Sequence, residues 1–135
     1  MSYPLTEIDG IDEDVVKVLK SVGIRTATAL LESAKDTKGR KTLAAATGFD
    51  EKLLLGWANV ADRMRIKGIG EDYAVLLREA GVNTVRELKH RNAKKLAQAM
   101  REANEKRPRV KFLPSEKAVT KWIEQAKRLP LKISY

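Results

Sequence analysis

The chain contains one stretch twice. Residues 8–30 laid on residues 66–88, an offset of 58 with no gap, place Ile8, Gly10, Ile11, Glu13, Asp14, Leu19, Gly23, Thr26 and Leu30 on identical residues. A second echo follows at an offset of 65, where Asp50-Glu51-Lys52 with Trp57 and Ala61 corresponds to Ser115-Glu116-Lys117 with Trp122 and Ala126. Self-similarity at a fixed spacing predicts a duplicated supersecondary unit rather than one irregular fold. The expected units are residues 1–62 and 63–135. A smaller repeat lies inside them: Gly10-Ile11-Asp12-Glu13 parallels Gly48-Phe49-Asp50-Glu51, each a glycine, one apolar residue, an acidic cap and then a helical apolar pair. Turns of this kind centre on Gly10, Gly48 and Gly68, and the fourth, expected near Leu113-Pro114-Ser115, has no glycine.

Between the turns the apolar residues recur at helical spacing and nowhere alternate over strand length. Asp12, Thr26, Asp36 or Thr37, and Asp50 are expected to open helices in the first unit, with Gly23 and Gly48 ending two of them. Leu53, Leu54, Trp57, Val60, Ala61 and Met64 are expected on one face. In the second unit helices are expected from about Glu71, Thr84, Asn92 and Ser115, with Leu96, Met100 and Ala103 on one stripe and Val119, Trp122, Ile123 and Ala126 on another. Trp57 and Trp122 are read as core anchors. Pro4, Pro108, Pro114 and Pro130 all fall outside these segments, as their missing amide requires. The segment after Pro130 is expected to be loose or to add a short edge.

Composition narrows the function classes. There is no cysteine, so disulfides and thiolate metal sites are excluded, and His90 is the single histidine, which leaves no ligand set for a histidine metal site. No cofactor is expected. No apolar run reaches membrane-span length, and the acidic N-terminal stretch lacks the form of a secretory signal, so a cytoplasmic protein is expected. The carboxylates sit at helix starts, where capping explains them, and no serine has a plausible base beyond His90, so no enzyme chemistry is expected. The net charge of +9 is unevenly placed: residues 1–85 hold 12 Lys/Arg against 13 Asp/Glu, and residues 86–135 hold 15 against 5. Such asymmetry points one end of the molecule toward a polyanion.

Two surfaces are candidates for it. The first is the turn Ile66-Lys67-Gly68-Ile69-Gly70. Two glycines flanking one apolar residue predict a tight turn in which glycine tolerates positive φ. The helix that follows offers unbonded amides to a phosphate at Gly68 and Gly70, with Arg65 and Lys67 adding charge. Such a contact reads no base sequence. Glu71 and Asp72 oppose it, because they satisfy the helix dipole internally and repel a phosphate. The corresponding Gly10 turn is poorer, since Asp12 replaces the second glycine and Asp9, Glu13 and Asp14 surround it. The Gly48 turn, followed by Asp50 and Glu51, is similar. The second surface is basic: Arg91, Lys94, Lys95 and Arg101 on or before one helix, Lys106, Arg107, Arg109 and Lys111 in the next loop, and Lys117, Lys121 and Arg128 at shared-face spacing on the last. If these converge, roughly six or more phosphates are neutralised and affinity falls steeply with salt.

Over nearly its whole length the sequence resembles a widespread, uncharacterised bacterial family of tandem helix-hairpin-helix proteins, a domain of unknown function. The matching stretches are Ile8 to Ile11, Ala46 to Phe49, Trp57 to Leu77, Gly81 to Val85, His90 to Asn92 and Trp122 to Ala126. The resemblance implies an all-α fold of duplicated helix-hairpin-helix units of the SAM-like bundle type. The wider helix-hairpin-helix class implies sequence-independent DNA binding. The leading expectation is therefore a non-enzymatic binder of DNA backbone, with RNA a further candidate partner. The rival is a protein–protein adaptor or scaffold module whose hairpins only build the fold, with the acidic first unit a structural partner or a docking surface for another protein. Oligomeric state is not legible.

Overall fold

Polar side chains set where the helices begin. The computed structural model describes residues 3–135. Helix α1 (Glu13–Ser21) starts where the Asp12 carboxylate accepts the Val15 N–H at 2.9 Å. Helix α2 (Ala27–Ala34) starts on Thr26, and α3 (Thr37–Thr47) starts on Asp36, whose carboxylate accepts the Gly39 N–H at 2.7 Å. Gly48 ends α3 at φ 82°. Helix α4 (Glu51–Arg63) follows Asp50, which accepts the Lys52 N–H. Helices α6 (Val85–Lys89), α7 (Ala93–Lys106) and α8 (Glu116–Arg128) start on the side chains of Thr84, Asn92 and Ser115. Each such cap contributes about 1 kcal/mol relative to alanine. Helix α5 (Glu71–Glu79) alone among those with a described cap residue starts without a side-chain cap. Beyond an isolated bridge between Pro4 and Thr26 the described residues form no strand, so the protein is all-helical.

The chain divides into two compact units. Unit 1 is Met1–Asp62 with Lys132–Tyr135, and unit 2 is Arg63–Leu131. In unit 1, α1 packs on a 3-10 turn at Leu5–Glu7 and α2 packs on α3. Leu5, Ile8, Ile11, Leu19, Leu30, Leu31, Leu54 and Trp57 are buried, and each large side chain withdrawn from water is worth about 1.5–3 kcal/mol. Gly39 lets α3 approach α2 closely, since a Cβ there would collide with the Ser33 carbonyl oxygen. Leu53 departs from expectation. It is 45% exposed, because the buried stripe of α4 runs through Leu54, Trp57, Ala58 and Ala61 and Leu53 falls outside it.

The segment after Pro130 is neither loose nor an edge strand. Its last four residues belong to unit 1, where Ser134 donates its N–H to the Lys35 carbonyl at 2.8 Å. The buried Arg40 guanidinium donates to the Ser134 carbonyl at 2.8 Å and to the Ala34 carbonyl at 2.9 Å. Thr37 Oγ1 donates to the Tyr135 carbonyl, the Tyr135 hydroxyl donates to Asn59 Oδ1, and Lys132 pairs with Glu32. The tail thus adds hydrogen bonds at the junction of α2 and α3 to those that Arg40 makes with Ala34 and Thr37 and that Glu32 makes with Lys35.

In unit 2, α6 and α7 pack on α8, and α5 packs on α7. Ile66, Ile69, Leu76, Leu77, Leu88, Leu96, Met100, Val119, Trp122 and Ile123 are buried, and Ala103 is only half-buried. The two tryptophans are core residues in both units, each 4% exposed. Phe49 meets Trp57 edge-on with centroids 5.2 Å apart, and Tyr73 meets Trp122 at 5.4 Å.

Candidate nucleic-acid interface

Gly68 and Gly70 are glycines for different reasons. Gly68 has φ 98°, and a Cβ on it would stand 3.0 Å from Trp122 Nε1, so both backbone and packing demand glycine. Gly10, 58 residues earlier, has φ 92° and the same relation to Trp57 Nε1 at 3.3 Å. Gly70, by contrast, makes no use of the positive φ that glycine tolerates. Its φ is −96° and its ψ −164°, ordinary extended backbone, and a Cβ on it would meet nothing within 4 Å. Asp12 stands at the corresponding place in unit 1 and caps α1 with its own carboxylate. The consequence of glycine at position 70 is a helix start without a side-chain cap from its own N-cap residue.

The turn is held from the side by α8. The Gln125 side-chain amide accepts the Lys67 N–H at 2.9 Å and donates to the Lys67 carbonyl at 3.3 Å. Arg65 donates to the Pro130 carbonyl at 3.1 Å, just past the end of α8. Lys117, Lys121, Gln125 and Arg128 follow one another at steps of four, four and three, which is one stripe of an α-helix. The exposed cations of that stripe therefore lie on the side of α8 that holds Lys67, itself exposed. Gln125 is not among the candidate residues that charge and turn pattern mark in the sequence. Its signal in the sequence is its place as the one uncharged member of a basic stripe.

The carboxylates after Gly70 are matched by a cation from elsewhere. Arg109 Nε donates to Asp72 Oδ1 at 3.1 Å, and its Nη2 lies 3.9 Å from Glu71 Oε1. Arg109 arrives there because the Asn104 side chain fixes the loop after α7. Asn104 Oδ1 accepts the N–H groups of Arg109 and Val110 at 2.7 and 3.1 Å, and Nδ2 donates to the Val110 carbonyl at 3.1 Å. Part of the repulsion expected from Glu71 and Asp72 is thereby offset, while Arg109 itself is engaged in that pairing.

The remaining basic residues are distributed. Lys94, Lys95 and Arg101 are exposed on α7, interspersed with the exposed Glu102 and Glu105, and no described contact ties them to the Gly68 turn. Arg91 lies beside the Gly81 turn, its Nη1 3.8 Å from where a Cβ on Gly81 would stand. That is the opposite end of α5, about 13 Å away for nine residues. Lys106 and Arg107 line a surface depression of about 300 Å³ with Glu79 and Ala103. Lys111 is exposed in the loop. Unit 2 as a whole carries 18 Lys/Arg against 8 Asp/Glu, whereas unit 1 carries 9 against 10. Among the described residues no three acidic or histidine side chains gather as around a metal ion, and no helix is long and apolar enough to cross a membrane.

The family model described as Domain of unknown function (DUF4332) matches residues 9–129. The chain belongs to this family. The DUF4332 match spans both glycine turns and all eight helices, and it stops one residue past α8. No curated protein and no solved structure matches the chain at a significant level.

Proposed function

We propose that unit 2 is a non-enzymatic, cytoplasmic nucleic-acid-binding module that holds DNA backbone without reading base sequence. On this reading the protein is a tandem of helix-hairpin-helix units of which the second binds. The observation that carries the reading is Gly70: neither its backbone nor its surroundings require glycine, yet glycine leaves the start of α5 uncapped beside a turn flanked by cations. Uncapped amides and a positive dipole end favour an anion, and a phosphate oxygen is the anion that a stripe of Lys and Arg would bring there. Lys67, Lys117, Lys121 and Arg128 are the residues assigned to phosphate contact around the turn. Charge-assisted hydrogen bonds of this type are worth about 1.5–3 kcal/mol each.

Unit 1 offers no matching site, because Asp12 occupies the corresponding helix start. Its closed, acidic turn favours the rival reading for that unit alone, a docking surface for a protein partner.

Titration of a fluorescent duplex of about 20 base pairs tests the proposal. Four phosphate contacts predict a loss of roughly 100-fold in affinity between 50 and 200 mM salt. The double reversal Lys121→Glu/Arg128→Glu is expected to weaken binding on the order of 10-fold or more at 50 mM salt and to flatten the salt dependence. Absence of salt-sensitive binding at micromolar protein would overturn the reading, and RNA duplex in parallel separates the two nucleic acids.

A further inference from the structure

The loop between α7 and α8 presents an aromatic ring to solvent on a fixed backbone. Phe112 is 81% exposed and Leu113 beside it is 37% exposed. The other phenylalanine, Phe49, packs edge-on against a buried tryptophan, whereas among the described residues the Phe112 ring meets no aromatic partner. A flexible loop would fold such a ring back onto its own surface, because exposing it to water is unfavourable. This loop is not free to do so. Asn104 pins Arg109 and Val110 through three hydrogen bonds, the Tyr73 hydroxyl donates to the Phe112 carbonyl at 2.9 Å, and Arg109 is paired with Asp72. Pro108 and Pro114 restrict the backbone on either side. The loop is fastened so that Phe112 stays outside.

Its surroundings say what could cover the ring. From Lys106 to Ser115 the chain holds Lys106, Arg107, Arg109 and Lys111 and no acidic residue. The occupant is therefore anionic and carries flat apolar faces. Tyr73, which holds the Phe112 carbonyl, lies in the first turn of α5, three residues and about 4.5 Å along the axis from Gly70. Ring and uncapped helix start thus belong to the same end of α5. An unstacked nucleobase with its phosphate meets both requirements at once, since bases stack on aromatic side chains while the backbone follows cations.

We infer that Phe112, with Leu113 behind it, stacks on an unpaired base, so that unit 2 prefers single-stranded or gapped DNA over an intact duplex. This inference rests on the proposed nucleic-acid function and assigns its substrate class. The intact protein and its Phe112→Ala and Phe112→Trp variants are compared on three fluorescent oligonucleotides: an intact duplex, the same duplex with a one-nucleotide gap, and the single strand. Wild type is expected to bind the gapped and single-stranded forms more tightly than the duplex. Phe112→Ala weakens those two about 10-fold and leaves the duplex within about 2-fold, and Phe112→Trp restores the preference. A 2-aminopurine opposite the gap is quenched on binding by wild type and not by Phe112→Ala. Equal loss on all three ligands, or no loss on any, overturns the stacking role while leaving backbone binding standing. No binding of any ligand by wild type overturns both. Vesicles of phosphatidylserine and phosphatidylcholine form the control arm. If Phe112→Ala abolishes vesicle binding and leaves gapped DNA unaffected, the ring serves a lipid surface and the inference fails.

Discussion

Asp12 and Gly70 stand at corresponding places in the two units and do opposite things to the helix that follows. Asp12 folds its carboxylate onto the Val15 N–H and closes α1. Gly70 has room for a side chain and lacks one. Behind each position the construction is shared: a glycine at positive φ lies against the indole nitrogen of a buried tryptophan. The surroundings differ as the caps do. Unit 2 brings Gln125 to its turn, on a helix stripe that also carries the exposed Lys121 and Arg128, while the turn of unit 1 is bordered by Asp12, Glu13 and Asp14. One scaffold therefore supports a sealed helix start and an open one, and what separates them is a single carboxylate and the charge around it.

The largest expected effect lies in what the turns share. Gly68→Ala must place a Cβ at φ 98° and 3.0 Å from Trp122 Nε1, and is expected to cost about 2–3 kcal/mol in urea unfolding. Gly10→Ala meets Trp57 Nε1 at 3.3 Å and should cost less, about 1–2 kcal/mol. Equal, negligible costs would show that the glycines are not what fits the turns to the tryptophans. A smaller effect concerns what the turns do not share. Gly70→Asp gives unit 2 the cap of unit 1 and is expected to stabilise it by only a few tenths of a kcal/mol, since glycine is itself tolerated at a helix start, while weakening DNA binding several-fold. The reciprocal Asp12→Ala should lose about 1 kcal/mol and leave DNA binding unchanged. If Gly70→Asp binds DNA as well as wild type, the open helix start is not the contact.

Much of this comparison was legible in the sequence. Short polar residues just ahead of apolar periodicity located the caps at Asp12, Thr26, Thr84, Asn92 and Ser115 and narrowed that of α3 to Asp36 or Thr37, because capping is a local interaction within three residues. The stripe Val119, Trp122, Ile123 and Ala126 was legible for the same reason. Contacts distant in sequence were not. Gln125 meets Lys67 across 58 positions and Arg109 meets Asp72 across 37, and no periodicity marks either pair. Gly70 looked like Gly68 because residue type does not reveal φ. Arg40, buried at 4%, looked like any surface cation of a helix.

The smallest expected effect is one of pH and belongs to unit 1. Hydrogen bonds from Lys132 and then Lys35 hold the Glu32 carboxyl below its ordinary value of 4.5. Folded protein thus binds this proton less readily than unfolded chain does. The contribution of the pair is complete above about pH 4.5 and is lost as pH falls through the lower folded value. Hydrogen-exchange protection at the Ser134 amide, which is bonded to Lys35, should decline in that acid range before the rest of unit 1. In Glu32→Gln the decline should disappear.

That tail also bears on how the protein is made. Unit 1 is assembled from two separated pieces of chain, and residues 132–135 are translated only after the 69 residues of unit 2. The Ser134 groups that meet Arg40 and Lys35 are therefore made only after unit 2, and until then Arg40 has only its Ala34 and Thr37 partners and Lys35 its Glu32 partner. A nascent chain halted at residue 131 would carry a complete second unit and an unsealed first one.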